Sequence, residues 1–269
     1  MPNKISVSIS TYARQFAQTL PLHLDAIYFI KKHQPWRGMK RYRWMARALL
    51  GAAILLGFFF FKDAFLQAKE AIGDPQKFGA SISSFWSGFS FEKMDWALHG
   101  SVKYLVLIVL EIFTFHFIQR ALEIQTGRKP NNSFKAFVTA EKRMVKASFI
   151  AYVSETILRI VAKTLLGIFG LNVLLGQPVS LLIQFYFLGF LILDNYHECF
   201  GLTLKESRKR TKKVLGAALA VGGVAYILMY VPLVGVVAAS MIGAVTAAYA
   251  MERFAPLSGE GAGAAGSGE

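Results

Sequence analysis

The stretch that decides the fold runs over residues 214–251 and reads "VLGAALAVGGVAYILMYVPLVGVVAASMIGAVTAAYAM". Its 38 residues include no charged side chain. As one continuous helix it would be about 57 Å long, whereas the hydrocarbon core of a bilayer is about 30 Å thick. Two full crossings need about 40 residues and a turn, so the stretch is too long for one span and slightly short for two.

The composition places the whole chain in a membrane. Hydrophobic residues make up 54% of it and charged residues only 17%, against about 25% charged residues in soluble domains. Further apolar blocks cover residues 48–61, 104–117 and 164–193. We therefore predict an all-α integral membrane protein with one membrane domain. No small-residue cleavage site follows the first apolar block, so no secretory signal peptide is expected.

The distribution of basic residues predicts the topology. Lys and Arg are enriched in cytoplasmic loops of membrane proteins, and here they are concentrated in residues 1–47, 119–146 and 194–213. Residues 62–96 then lie outside, so helices at about 45–61 and 94–118 cross fully. The predicted parts are a basic cytoplasmic segment (1–47), a membrane domain (48–253) and a disordered Gly/Ala-rich tail (254–269), with both termini cytoplasmic.

The segments 147–193 and 214–251 each start from a cytoplasmic loop and return to the cytoplasmic side. Helix breakers lie near their middles, at Gly167, Gly170, Gly176 and Pro178 in the first and at Pro232 and Gly235 in the second. The arms 180–193 and 214–230 would be only about 21 and 25 Å long. We therefore predict two re-entrant helical hairpins that turn back near the far face.

A turn at membrane depth needs protein around it, because lipid cannot pair its backbone polar groups. The hairpin tips should therefore contact the long helices, each other or another subunit, which favours a homo-oligomer. Small residues recur at every fourth position of the last segment, a spacing that allows close helix contact. They are Gly235, Ala239, Gly243 and Ala247.

Four stretches carry a resemblance to a known family: "HQPWRGMKRYRW" from residue 33, "LEIQTG" from 122, "LILDNYHECFGLTLKESRKRTK" from 191 and "YVPLVGVV" from 230. In these stretches the chain resembles the CysZ sulfate-permease and etoposide-induced-protein family, over roughly residues 35–253. It diverges from the bacterial sulfate permeases, because "EIFTFHFIQR" in the second helix has neither the Pro nor the Asn of their motif.

The resemblance implies two long helices with two partly inserted hairpins, and transport of sulfate. It also implies that Lys40, Arg41 and Arg43, which precede the first crossing, bind the anion. Arg and Lys suit a tetrahedral oxyanion through their several charged donors, although topology or lipid headgroups also explain them. The positions that match family motifs are Asp194, Lys205, Glu206, Arg208 and Pro232.

Charged residues inside the predicted membrane segments are further candidates, since such charges usually face a bundle interior or a wet cavity. Glu155, Arg159 and Lys163 are spaced four apart, so they share one helix face and could line an anion route. The alternative is an arm lying at the interface with its charges in the headgroups. Glu111, with His116 five residues later, could couple proton movement to anion movement or form a buried hydrogen bond.

The cluster "DNYHECFG" at residues 194–201 is not predicted to bind metal, because a zinc site needs three or four convergent ligands. Asp194 should instead cap the next segment or pair with a base. The basic run "KESRKRTKK" is explained by lipid and topology, without nucleic acid. One cysteine excludes an internal disulfide. No nucleotide-binding or hydrolase motif occurs, so neither an ATP site nor an enzyme is expected.

The leading hypothesis is therefore transport of sulfate or a related small oxyanion across the inner (plasma) membrane. It would be passive or proton-coupled, without ATP or any cofactor, and its partners would be the bilayer, the anion and further copies of the chain. The alternative is a non-transporting membrane protein that organises partners or lipids, as the eukaryotic branch of the family does.

Overall fold

The computed structural model describes residues 9–36, 47, 102–127, 133–231 and 234–257. The predicted first crossing (45–61) lies outside the described residues except at position 47, and so does the start of the second. Every regular element in the described ranges is a helix. These are α1 (Ile9–Thr19), α2 (Leu22–His33), α3 (Val102–Val109), α4 (Glu111–Thr126), α5 (Phe134–Ile168), α6 (Asn172–Cys199), α7 (Leu204–Lys213), α8 (Leu215–Met229) and α9 (Val234–Phe254).

The first predicted hairpin is formed by α5 and α6, which pack along each other and are joined by residues 169–171. The turn is built on Gly170, whose φ of 69° is unfavourable for other residues. Gly176 and Pro178 instead lie within α6, so the prediction that the returning arm begins at residue 180 is wrong. Pro178 removes one hydrogen bond near the start of a helix of 28 residues, about 42 Å long.

Helix α5 is also longer than predicted. It begins at Phe134 rather than near residue 147, because Ser133 accepts a hydrogen bond from the backbone N–H of Ala136 (3.1 Å) and caps the helix. The helix has 35 residues, about 52 Å, so it extends well beyond a hydrocarbon core of about 30 Å.

The second predicted hairpin is formed by α8 and α9, which pack on each other. Gly235, one of the two predicted helix breakers, lies inside α9. Pro232 itself lies outside the described residues. The predicted small-residue contact is confirmed: all four residues of the stripe are buried. A Cβ at Gly235 would overlap the carbonyl oxygen of Leu228 in α8, and one at Gly243 would lie 3.2 Å from Cδ1 of Ile192 in α6.

The two hairpins meet where α6 crosses α8. A Cβ at Gly189 would overlap the carbonyl oxygen of Ala218, and one at Gly222 would overlap that of Phe185. Glycine is therefore required on both helices for the backbones to approach this closely. Around the crossing, α4, α6, α8 and α9 bury the apolar core of the molecule.

The predicted second crossing is not one continuous helix. It breaks at Leu110 into α3 and α4, whose axes differ by 59°. Helix α4 continues to Thr126, eight residues past the predicted end. It stops at Gly127, which has a φ of 72° and donates its N–H to the carbonyl of Glu123 (3.0 Å). The motif "LEIQTG" is therefore a glycine-terminated helix end.

The N-terminal segment packs onto the second hairpin, which the sequence analysis did not predict. The side chain of Gln15 in α1 donates to the carbonyl of Lys213 (3.1 Å) and accepts from the N–H of Gly216 (3.3 Å). In this way it bonds both sides of the 98° bend between α7 and α8. Helix α2 packs on α9, with the rings of Phe29 and Tyr249 6.0 Å apart.

Two of the helices in the described ranges, α6 and α9, are long and apolar enough to cross a membrane. Two more spans follow if α3–α4 and α7–α8 each count as one bent span. The chain is thus compatible with a membrane protein, as predicted. Around both hairpin turns large apolar side chains are exposed, among them Ile168, Phe169, Val173, Leu174, Ile227, Val231 and Val234.

Candidate functional site

A buried ionic cluster lies between α3 and the first hairpin. Lys103 of α3 donates to Oε1 of Glu155 in α5 at 2.8 Å, and its side chain is 0% exposed. Tyr104, the next residue, donates its hydroxyl to the other carboxylate oxygen of Glu155. Arg159, one turn along α5, lies 3.5 Å from Glu155 Oε1. Two cations therefore share one carboxylate.

The cluster extends to α6 through Gln184, whose Oε1 accepts a hydrogen bond from Lys103 at 3.2 Å. Gln184 is fully buried, and its Nε2 has no hydrogen-bond partner among the described residues. Ser180 lies one turn earlier on the same helix, and its buried hydroxyl likewise has no partner in the described ranges. A buried polar group without a partner costs about 1–3 kcal/mol, so both point to a ligand or water.

The cluster brings two cationic donors to one carboxylate. Lys103 and Arg159 both contact Oε1 of Glu155, so two positive charges face one negative charge at this point among the described residues. Buried charges are stable only where carboxylates, counter-ions or ordered polar groups compensate them. The cationic donors, together with the polar groups of α6 that have no partner in the described ranges, suit a small anion with several acceptor oxygens.

A second polar layer surrounds Glu111 at the start of α4. Glu111 is completely buried, and Asn195 of α6 donates Nδ2–H to its Oε2 at 3.4 Å. Its Oε1 has no hydrogen-bond partner among the described residues. Gln184 and Asn195 are eleven residues apart on α6, so the two layers are separated by about 16 Å along that helix.

Acidic side chains dominate this second layer. Arg143 of α5 makes a bidentate pair with Asp194 (2.9 and 2.8 Å) and lies 3.7 Å from Glu198. The prediction that Asp194 pairs with a base is confirmed. Glu141 is close enough to Glu111 for their charges to repel, and burial raises the pKa of Glu141 to about 7. Arg143 therefore pairs with two carboxyl groups of α6, and Glu111 and Glu141 add two more acids to this layer.

The histidines of this region do not join Glu111. His116 donates Nε2–H to the carbonyl of Pro35 at 3.0 Å, which connects α4 to the end of α2. Nδ1 of His197 lies 2.9 Å from the hydroxyl of Ser207. Among the residues that the structure describes, no three His, Cys, Asp or Glu side chains converge as metal ligands.

The other predicted site residues have separate positions. Lys163 is exposed, one turn beyond Arg159, and does not join the cluster. Glu206 forms a capping box with Thr203 at the start of α7, where Lys205 and Arg208 are exposed. Three further predicted residues, Lys40, Arg41 and Arg43, lie outside the described residues, as does Pro232.

Most residues of the two polar layers were not predicted from the sequence. Lys103 could have been found, because a lysine inside a predicted crossing is a functional candidate by default. Gln184, Ser180 and Asn195 carry no comparable signal, since uncharged polar residues are common on helix faces. Arg143 was hidden among the basic residues assigned to a cytoplasmic loop.

No protein-family model, curated protein or solved structure matches the chain. The resemblance to the CysZ family therefore stays a prediction from four short stretches. Any function has to be inferred from the chemistry of the two polar layers.

Proposed function

We propose that the protein moves a small oxyanion, such as sulfate, across the membrane without ATP hydrolysis. The observation that carries the proposal is the buried cluster of Lys103, Arg159 and Glu155 with its unpartnered donors on α6. A tetrahedral oxyanion accepts hydrogen bonds in several directions, and charged donors give the strongest ones. Ammonium, guanidinium, amide and hydroxyl donors all meet at this cluster.

In this proposal the carboxylate of Glu155 pairs with Lys103 and Arg159 while no anion is bound. Unpaired charges in an apolar interior are strongly destabilising, so an empty site with only Lys103 and Arg159 would not be stable. An arriving anion would compete with the carboxylate for both cations. The hydroxyl of Tyr104, which already donates to Glu155, would hold the displaced carboxylate.

The proposed depth of the cluster fits a transport path. Glu155 lies eight residues, about 12 Å, along α5 from residue 147, where the sequence analysis places the cytoplasmic end of the hairpin. A site near the middle of a bilayer about 30 Å thick can be reached from either side by a modest movement. The acidic second layer would repel an anion, which favours coupling to protons, because protonated carboxyl groups no longer repel it.

The test is uptake of radiolabelled sulfate and sulfite into proteoliposomes containing the purified protein, with and without an imposed pH gradient. We expect uptake above that of empty vesicles, and Arg159→Gln should lower it about tenfold or more by removing a charged donor. Lys163→Gln is the matched control, since it removes the same charge one turn away at an exposed position. Uptake equal to that of empty vesicles at every pH would refute the proposal.

One observation favours the second candidate, a membrane protein that organises partners without transport. Large apolar side chains are exposed around both hairpin turns, with Val173 98% exposed. Such a surface suits lipid or a second copy of the chain. Under this alternative the ionic cluster only joins α3 to the first hairpin, and a cluster variant that stays folded would change no flux.

A further inference from the structure

A groove with two chemically different parts lies beside the first hairpin, and none of its lining residues belongs to the two polar layers. It encloses about 400 Å³, within the range of about 300–1,000 Å³ found for ligand sites. Its apolar walls are formed by α5 and α6, and its basic edge by α7. The lining residues are Ile150, Ala151, Ser154, Ile157, Leu158, Val161, Tyr186, Phe187, Phe190, Arg208 and Lys212.

The walls form a long apolar strip. On α5 the lining residues run from Ile150 to Val161, a distance of about 16 Å along the helix. Three aromatic side chains of α6 form the opposite wall. Ser154 is the one hydroxyl on the α5 side of the groove among the described residues. A narrow apolar surface of this length suits a hydrocarbon chain better than a compact polar molecule.

The basic edge comes from a different element. Arg208 and Lys212 are four residues apart on α7, so they lie on the same face of that helix. Both side chains are exposed, and no carboxylate in the described ranges is within ion-pair distance of either. Their charges are therefore available to an anionic group from outside the protein.

The position of α7 orients the groove. Helix α7 follows α6 after residues 200–203, so its first turn lies near the open end of the first hairpin, away from the turn at Gly170. The sequence analysis places this end at the cytoplasmic interface, where anionic headgroups attract basic side chains. A lipid could place its headgroup at α7 and its acyl chain along the hairpin.

We propose that the groove between α5, α6 and α7 binds one anionic phospholipid of the surrounding leaflet. The phosphate is bound by Arg208 and Lys212, and an acyl chain lies along the strip from Ile150 to Val161. The inference does not depend on anion transport, because neither polar layer contributes a residue to the groove. It gives the basic run of α7 a specific role beyond topology.

The test compares retention of phosphatidylglycerol and phosphatidylcholine by the purified full chain, measured by native mass spectrometry after equilibration with mixed lipids. We expect one phosphatidylglycerol to be retained per chain, in preference to phosphatidylcholine. The variant Arg208→Gln/Lys212→Gln should weaken it about thirtyfold, the effect of losing two basic groups at an anionic lipid.

Two further variants distinguish lipid binding in the groove from non-specific attraction by the positive charge of α7. Lys209→Gln/Lys213→Gln removes the same charge from the same helix, but these residues line a different, polar pocket, so retention should change less than about twofold. Ser154→Trp leaves the charges in place and fills the groove, so it should also abolish retention. Equal losses in the two charge variants, unchanged retention in Ser154→Trp, or equal retention of the two lipids in the wild type would each overturn the proposal.

Discussion

The two helical hairpins have the same architecture but bury different kinds of side chain. In the first, α5 and α6 contribute Glu155, Arg159 and Gln184 to a buried polar cluster with Lys103. In the second, α8 and α9 contain no charged residue before Glu252, and small residues such as Gly222 and Gly243 pack closely against α6. The proposed anion site thus lies at the first hairpin, whereas the closest backbone packing lies where α8 crosses α6.

The two kinds of contact differ in how much the side chains can move. Backbone contact at Gly189 and Gly222 leaves no room for a ligand or a moving side chain. The cluster around Lys103 instead consists of long side chains that can exchange one partner for another. We therefore expect variants of the ionic cluster to affect both anion handling and stability, and variants at the glycine contacts to affect stability alone.

The largest effect is expected for Lys103→Met. It leaves the buried carboxylate of Glu155 without its closest cation, and breaking a buried pair costs about 3–5 kcal/mol of unfolding free energy. The double variant Lys103→Met/Glu155→Gln removes both charges and should regain most of this loss. Unfolding in detergent measures both. Additive losses in the double variant would contradict the assignment of these residues as a pair.

A smaller effect is expected in the second hairpin for Gly222→Ala. Its Cβ would overlap the carbonyl oxygen of Phe185, so α6 and α8 must move apart, at a cost of about 1–3 kcal/mol. The control is Gly167→Ala, where a Cβ meets nothing within 4 Å. Alanine is favoured over glycine in a helix by about 1 kcal/mol, so the control should be neutral or stabilising. Thermal unfolding in detergent distinguishes the two.

The capping box of α7 should contribute less to the free energy of unfolding than the Gly222 contact does, because it is fully exposed to solvent. Thr203→Ala removes the acceptor for the N–H of Glu206 and should cost about 1 kcal/mol. The hydrogen bonds from Thr203 lower the pKa of Glu206. This stabilisation is therefore present above the unfolded pKa of about 4.3 and is lost as the pH falls through the lower folded value. Denaturation of the wild type and of Thr203→Ala at several pH values measures this effect. The difference between their free energies of unfolding should become smaller as the pH falls below about 4.3.

The smallest effect is expected at Glu141. Burial raises its pKa to about 7, so it becomes negatively charged as the pH rises through neutrality. Sulfate uptake should then fall about two- to fivefold across this range, the effect of a partly solvated charge. Glu141→Gln should remove that part of the pH profile, whereas Glu123→Gln, at an acid that pairs with Arg120 near the end of α4, should not. Identical pH profiles of sulfate uptake in the wild type and Glu141→Gln would show that the charge of Glu141 does not affect transport.

Much of the architecture could be predicted from segment length and charge. The turn of the second hairpin and the Gly235 stripe were found because apolar length and four-residue spacing are local properties of a sequence. The lengths of α5 and α6 could not be predicted in this way. The cap at Ser133 starts α5 earlier than the apolar composition indicates, and α6 continues through Pro178 without ending there. The break at Leu110 has no proline or glycine to indicate it.

The candidate site was predicted only in part. Glu155 and Arg159 were identified because they are charged and four residues apart within an apolar segment. Their partner Lys103 is 52 residues away from Glu155, and no periodicity relates positions on different helices. The same limit applies to Gln15, which meets Gly216 across 201 residues. Pairings of this kind depend on how helices pack, which a single sequence does not encode as a pattern.

Equilibrium binding of radiolabelled sulfate to the purified wild type and to Glu155→Gln tests most directly whether the cluster of Lys103, Arg159 and Glu155 is an oxyanion site. Removing the carboxylate takes one negative charge from the cluster and removes the acceptor that Lys103 and Arg159 share. We expect tighter sulfate binding by Glu155→Gln than by the wild type, together with a lower thermal stability that sulfate restores. Sulfate binding that is absent from both proteins, or weaker in Glu155→Gln, would contradict an oxyanion site at this cluster.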